Sequence, residues 1–307
     1  MKRTMLLLMA VVSFATYSNA QRVCGSQEHL EQQLLQDPGL HDRMEAIEQF
    51  TNAYLASNPV GDRTVVTIPV VVHVLYSNAT MNISDAQIAS QMTVLNNDFR
   101  KLNSDWSNTP AEFAGLVADC EINFCMAQRD PSGNATTGIV RKSTTVANFG
   151  TNDAAKFNAQ GGDNAWPAAS YLNLWVCSIG GGILGYAQFP GGAANTDGVV
   201  IDYRYFGTMG TATPPYALGR TATHEVGHWL NLRHIWGDAN CGNDQVADTP
   251  IHNTSNYGCP AYPTNSNCGG TSHAMMTMNY MDYTDDACMY MFTTGQKNRS
   301  QALFAAG

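Results

Sequence analysis

The stretch Thr223-His224-Glu225-Val226-Gly227-His228-Trp229-Leu230-Asn231-Leu232-Arg233-His234 constrains this 307-residue chain more than any other. His224 and His228 are four apart, so on a helix they share one face a turn apart. Two imidazoles placed that way are half of a metal site, and Glu225 can reach a water on the metal's open side as a general base. His234 completes the site as a third ligand if the helix ends after Leu230 and the chain turns back. Three neutral nitrogens and one water form the open tetrahedral arrangement of hydrolytic zinc. Such a turn calls for left-handed backbone, and Asn231, which tolerates it best after glycine, stands where the chain must bend.

Composition narrows the remaining classes. The chain carries a formal net charge of -9 with 13% charged residues and no basic block interleaved with aromatics, which argues against nucleic acid as a partner. Lys2 and Arg3 precede the apolar run Met5 to Val12, and Ser18-Asn19-Ala20 offers small residues for cleavage. Residues 1–20 therefore read as a secretory signal peptide, too short to span a bilayer, and no other stretch is apolar enough to anchor the chain in a membrane. A secreted chain with eight cysteines is expected to form disulfides.

Taken in order, residues 21–62 read as a detachable pro-segment that inhibits its own chain. Ser26 to Ala56 divides at Pro38-Gly39 into two amphipathic helices, followed by the linker Ser57-Asn58-Pro59-Val60-Gly61. Within it, Arg22-Val23-Cys24-Gly25 carries a cysteine whose thiolate can displace a catalytic water from zinc, or which can pair with another cysteine. Residues 63–234 read as the catalytic subdomain ending in the zinc helix. Val65 to Leu75 is a β-branched run of the kind buried on both sheet faces, Ile83 to Leu102 a long helix, and further strands are expected at Glu121–Ala127, Tyr171–Ile179, Gly185–Phe189 and Gly198–Tyr203. This alternation describes an α/β subdomain with a mainly parallel sheet. Residues 235–307, rich in Gly, Asn, Asp, Thr and Cys, cannot bury enough apolar surface unaided, and Cys241, Cys259, Cys268 and Cys288 offer two staples in any of three pairings. His252 and His273 fall in this polar stretch and read as surface residues.

No glutamate follows Glu225, which excludes a downstream Glu as third ligand and favours His234. Further on, Met278-Asn279-Tyr280-Met281-Asp282-Tyr283 offers Met281 to sit beneath the histidines and Tyr283 as a phenol for the oxyanion. The three-histidine motif followed by Met-x-Tyr resembles the pappalysin family of metzincin peptidases, in its ulilysin-like, or cytophagalysin-like, bacterial branch. The likeness covers roughly residues 64–305, with Asn231 where metzincins carry glycine. It implies an α/β fold of α+β zincin type: a mixed, mostly parallel five-stranded sheet with backing and active-site helices, plus an irregular disulfide-stapled C-terminal subdomain. It pairs Cys241 with Cys268 and Cys259 with Cys288, and makes Cys24 a latency ligand. It also implies structural calcium in the loop after His234, with Asp244 and Thr249 as ligands. Finally, it implies an acid, Asp286, at the base of a pocket for arginine, so that peptide bonds before Arg, or Lys, are cut and activation follows cleavage near Asp62-Arg63. The expected activity is zinc-dependent endopeptidase action on protein or peptide substrates. A zinc amidase acting on non-protein amides and a non-catalytic secreted binding protein are the rival readings.

Overall fold

The computed structural model describes residues 21–57 and 65–305. The signal-peptide stretch and the Asp62-Arg63 activation site lie outside them. Two helices come first, α1 (Ser26–Gln36) and α2 (Leu40–Ser57), parted at Pro38-Gly39 as the sequence predicts.

The core is a sheet built on β1 (Val66–Tyr76), whose residues from Val70 to Leu75 are fully buried. That burial on both faces explains its β-branched composition. One edge of β1 pairs in parallel with β2 (Ile122–Met126) at Val66–Val70 and with β3 (Ile139–Ser143) at Val72–Tyr76. β4 (Leu172–Cys177) also pairs with β1 in parallel, β6 (Val199–Asp202) pairs with β4, and β5 (Gly185–Ala187) closes the order antiparallel to β6. The order β2-β1-β4-β6-β5 is the expected mixed, mostly parallel sheet five strands wide, with β3 as a sixth piece beside β2. β3 escaped the sequence reading because Ile-Val-Arg-Lys-Ser is half-exposed and carries little apolar signal.

Helix α3 (Asp85–Phe99), capped by Ser84 Oγ accepting from Gln87 N–H, buries Ile88, Met92, Leu95 and Phe99 against the sheet. The metal-motif helix α4 (Arg220–Trp229) lies beside it and is buried from Arg220 to His228. Beyond Trp229 the chain is mostly loop, stapled by Cys241–Cys268 and Cys259–Cys288, the pairing the resemblance implied. It ends in α5 (Thr294–Ala302), opened by a Thr293/Gln296 capping box. Cys120, Cys125 and Cys177 are unpaired within the chain. His252, expected at the surface, is fully buried: its Nε2 accepts from Met276 N–H, and burial lowers it to about 3. Polar local sequence concealed a residue that the folded loops enclose. His273 is half-buried.

Candidate metal centre and cleft

Helix α4 ends as the motif demands. Leu230 N–H reaches back to Val226 O, and Asn231 follows with φ 67°, the left-handed residue that lets the chain reverse. Arg299 Nε on α5 donates to Asn231 O at 2.7 Å and fixes the turn from the other subdomain. His234 is thereby brought to the face of His224 and His228.

All three rings turn Nε2 inward. His228 Nε2 stands 3.2 Å from His224 Nε2 and 3.1 Å from His234 Nε2. Each Nδ1 is engaged behind: His224 with Tyr280 O at 2.7 Å, His228 with Leu232 O at 2.8 Å, His234 with Asp238 Oδ1 at 2.5 Å. A carbonyl or carboxylate at Nδ1 requires the N–H there, leaving three Nε2 lone pairs facing one another. Burial lowers His224 and His228 well below the usual imidazole range, so protonation does not relieve that crowding. Three converging neutral acceptors in a dry site fit a divalent cation, and nitrogen donors in this number fit zinc. Cys24 Sγ joins them, the four ligand atoms lying within 4.8 Å of one another.

Glu225 is buried, and desolvation raises it to about 7 although Ser26, Cys24 and Arg22 pull the other way. Its Oε2 accepts from Ser26 Oγ at 2.7 Å and from Cys24 Sγ at 3.2 Å. Burial, with Glu225 adding to it, pushes the Cys24 thiol up, so ionising it requires a cation alongside.

Beneath the helix, Met281 is fully buried, and a Cβ on Gly227 would stand 2.5 Å from its sulfur. Gly227 is therefore the residue that lets the methionine pack directly against α4. Tyr283 flanks His234 with ring centroids 4.9 Å apart, and Trp236 completes the cluster, stacked 4.3 Å from His234 and edge-on to Tyr283 at 4.6 Å. Burial pushes the Tyr283 phenol well up and keeps it protonated.

Asp286 is fully buried rather than solvated. Its Oδ2 accepts from Leu218 N–H at 2.8 Å and Arg220 N–H at 3.2 Å, at the start of α4. Its Oδ1 takes Arg22 Nη2 at 2.5 Å. Arg22 also donates to Thr284 O at 3.2 Å and lies 4.8 Å over the Tyr216 ring, with 1% of its surface exposed. A cleft of about 480 Å³ opens beside it, lined by Pro214, Pro215 and Tyr257 among others. The larger cavity, about 540 Å³, lies between α1 and α2 and is not lined by His224, His228 or His234, whose own surroundings are filled by residues 22–26.

Asp244 and Thr249 also meet: Thr249 Oγ1 donates to Asp244 Oδ2 at 2.8 Å, and Val246 N–H to Oδ1 at 3.1 Å. Desolvation raises Asp244 to about 6, and no described cation forms an ion pair with it. A buried carboxylate with only neutral donors fits a hard cation.

Asp238, Trp236, Gly227, Ser26 and Arg22 contribute geometry to the site that the sequence reading did not assign. Asp238 was legible in principle, since a carboxylate four residues past a ligand histidine is a common partner for its second nitrogen.

The chain's likenesses agree with this geometry. The M43 peptidase family model, described as pregnancy-associated plasma protein-A, matches residues 156–305. An extracellular metalloprotease of Colletotrichum graminicola is 32% identical over 309 residues, covering 98% of this chain and 96% of the relative. One from Pyricularia oryzae is also 32% identical, over 92% of this chain and 88% of the relative. Among solved structures, a Tannerella forsythia promirolysin mutant is 51% identical with a TM-score of 0.85, over 92% of this chain and 94% of that one. Mature mirolysin of the same organism, in complex with a cleaved peptide, is 54% identical with a TM-score of 0.77, over 79% and 93%.

Proposed function

The chain belongs to the M43, or pappalysin, family of zinc-dependent metalloendopeptidases, and on that premise we propose that it is an exported zymogen cutting peptide bonds on the amino side of arginine or lysine. Family membership sets aside the amidase and the non-catalytic binder. The observation that carries the specificity is the Arg22–Asp286 pair, a guanidinium already seated on a buried carboxylate next to the histidines. Export is supported by the extracellular metalloprotease relatives, and no described helix is long and apolar enough to cross a membrane.

When bound by His224, His228 and His234, zinc supplies a Lewis acid and brings a water's pKa from ~15.7 towards ~7. Glu225, released from Ser26 and Cys24 when the segment leaves, can accept a proton and return it to the departing amine. Tyr283, held protonated, donates a hydrogen bond to the carbonyl oxygen under attack. Met281 supports the helix from below.

Residues 21–62 act as the inhibitor. In a substrate cut before arginine, the chain passes the histidines first and the Asp286 pocket next. Residues 22–24 run the other way, from the pocket at Arg22 to the histidines at Cys24. The pocket is filled, Glu225 is occupied, and the reversed polarity sets no bond preceding an arginine over the metal. Structural calcium at Asp244 and Thr249 is supported by the unpaired buried carboxylate there. Adding calcium to the metal-depleted protein is expected to raise its Tm.

The test of the reading is casein hydrolysis by the processed enzyme, with and without a zinc chelator, beside Glu225→Ala. Chelation and the substitution should each abolish clearing while Glu225→Ala still binds zinc. Near wild-type turnover by Glu225→Ala contradicts the assignment.

A further inference from the structure

Beyond Cys24 the N-terminal segment makes a second insertion into the catalytic part. His29 of α1 is 1% exposed, with Nε2 2.8 Å from Asp153 Oδ2 and Nδ1 3.2 Å from Ala187 O on β5. Its ring tilts against Tyr186 with centroids 4.9 Å apart. The other oxygen of Asp153 lies 2.7 Å from Nζ of Lys156, a fully buried lysine that also donates to Thr196 O at 2.6 Å. Asp153 holds φ 63°, a conformation a non-glycine residue keeps only where its surroundings fix it.

A carboxylate oxygen, a strand-edge carbonyl and an aromatic wall thus face one inserted side chain. Both polar walls are acceptors. Burial lowers His29 despite its contact with Asp153, and a neutral imidazole donates from one nitrogen only, so it serves one of the two acceptors and not the other. Histidine is therefore an imperfect occupant of a site shaped for two donors. Because Lys156 already balances the charge of Asp153, selection rests on hydrogen-bond polarity more than on net charge.

We propose that, once residues 21–62 are removed, Asp153 and Ala187 O form a subsite on the amino-terminal side of the cut that takes a two-donor side chain, such as arginine or glutamine, and rejects carboxylates. The proposal rests on the functional reading above, in which the segment leaves and substrate lies along β5. The strand sets the register. Gly25 N–H donates to Gly185 O next to Cys24, and Ala187 is two residues further, ~6.6 Å along the edge. The occupant is accordingly a residue two to four before the cut.

The experiment uses the processed enzyme and peptides that share arginine after the scissile bond, with Gln, its isostere Glu, or Ala at each of those three positions. At one position Gln should exceed Glu in kcat/KM by about tenfold, the scale of leaving buried acceptors facing a group with no donor. Asp153→Asn, which can turn an amide N–H₂ towards the occupant, should narrow or invert that ratio. If the variant fails to fold because Lys156 loses its counter-ion, the wild-type ratio still decides. Equal rates for Gln and Glu at all three positions overturn the proposal. Failure of the processed wild type to cut even the Ala peptides overturns instead the functional reading beneath it.

Discussion

The two walls of the site are held by different physics. The wall bearing the first two histidines and Glu225 is a helix pressed on a sheet, with Val226 and Leu230 in the same apolar cluster as Val70, Val72 and Leu174. The wall bearing Met281, Tyr283 and Asp286 belongs to a stretch with little regular structure, held by two disulfides, the Asn279–Gln296 amide pair and the buried carboxylate of Asp282. Apolar packing anchors the helix through Ala222, Val226 and Leu230, which share that cluster at helical spacing. The loop wall lends Tyr280, Met281, Met289 and Phe292 to that same cluster, and between these anchors covalent and polar constraints set its course.

Four substitutions bear on that contrast. Replacing Cys259 and Cys288 by serine frees the loop wall alone. Thermal unfolding should report a loss of about 2–4 kcal/mol. Zinc content should persist while preference for arginine weakens, and equal loss of zinc would erase the distinction. Asp238→Ala removes the partner of His234 Nδ1 and should weaken zinc binding by about 10–100-fold in a chelator competition, His234 being the ligand reached only through the turn. Gly227→Ala drives a Cβ into the Met281 sulfur at the seam and should cost about 1–3 kcal/mol, read as a lowered unfolding midpoint. An unchanged midpoint means the walls are not coupled there.

The smallest effect concerns pH. Burial raises Asp282 to about 7, and Asn256 N–H, Asn256 Nδ2 and Tyr283 N–H only partly offset it. A carboxyl raised in the folded state holds its proton there while the unfolded chain has lost it. Its contribution is therefore present at low pH and declines as pH climbs from about 4 to about 7. Tm should fall by a few degrees across that window, and Asp282→Asn should flatten the fall.

The sequence disclosed the helix wall far better than the loop wall, for the same physical reason. His224, His228 and His234 are legible because helical spacing and one reversal put them together, and β1, α3 and the split at Pro38-Gly39 because composition and periodicity coincide. β3 was lost because a half-exposed edge strand carries no such period. Contacts across long separations left no local trace: Arg22 with Asp286, His29 with Asp153, and Arg299 with Asn231 bring together residues at least 68 apart in the chain. The buried His252 shows the converse, since polar neighbours made a core position look like surface.

The central claim is that Arg22 occupies in the full chain the pocket that takes the substrate's arginine in the processed enzyme. The most direct measurement is to digest a proteome-derived peptide library with the processed wild type and with Asp286→Asn, and to identify the first residue of each new product. The account predicts arginine, then lysine, for the wild type, with the preference lost in the variant. A wild-type preference for apolar residues there, or one for arginine that survives in Asp286→Asn, would contradict it.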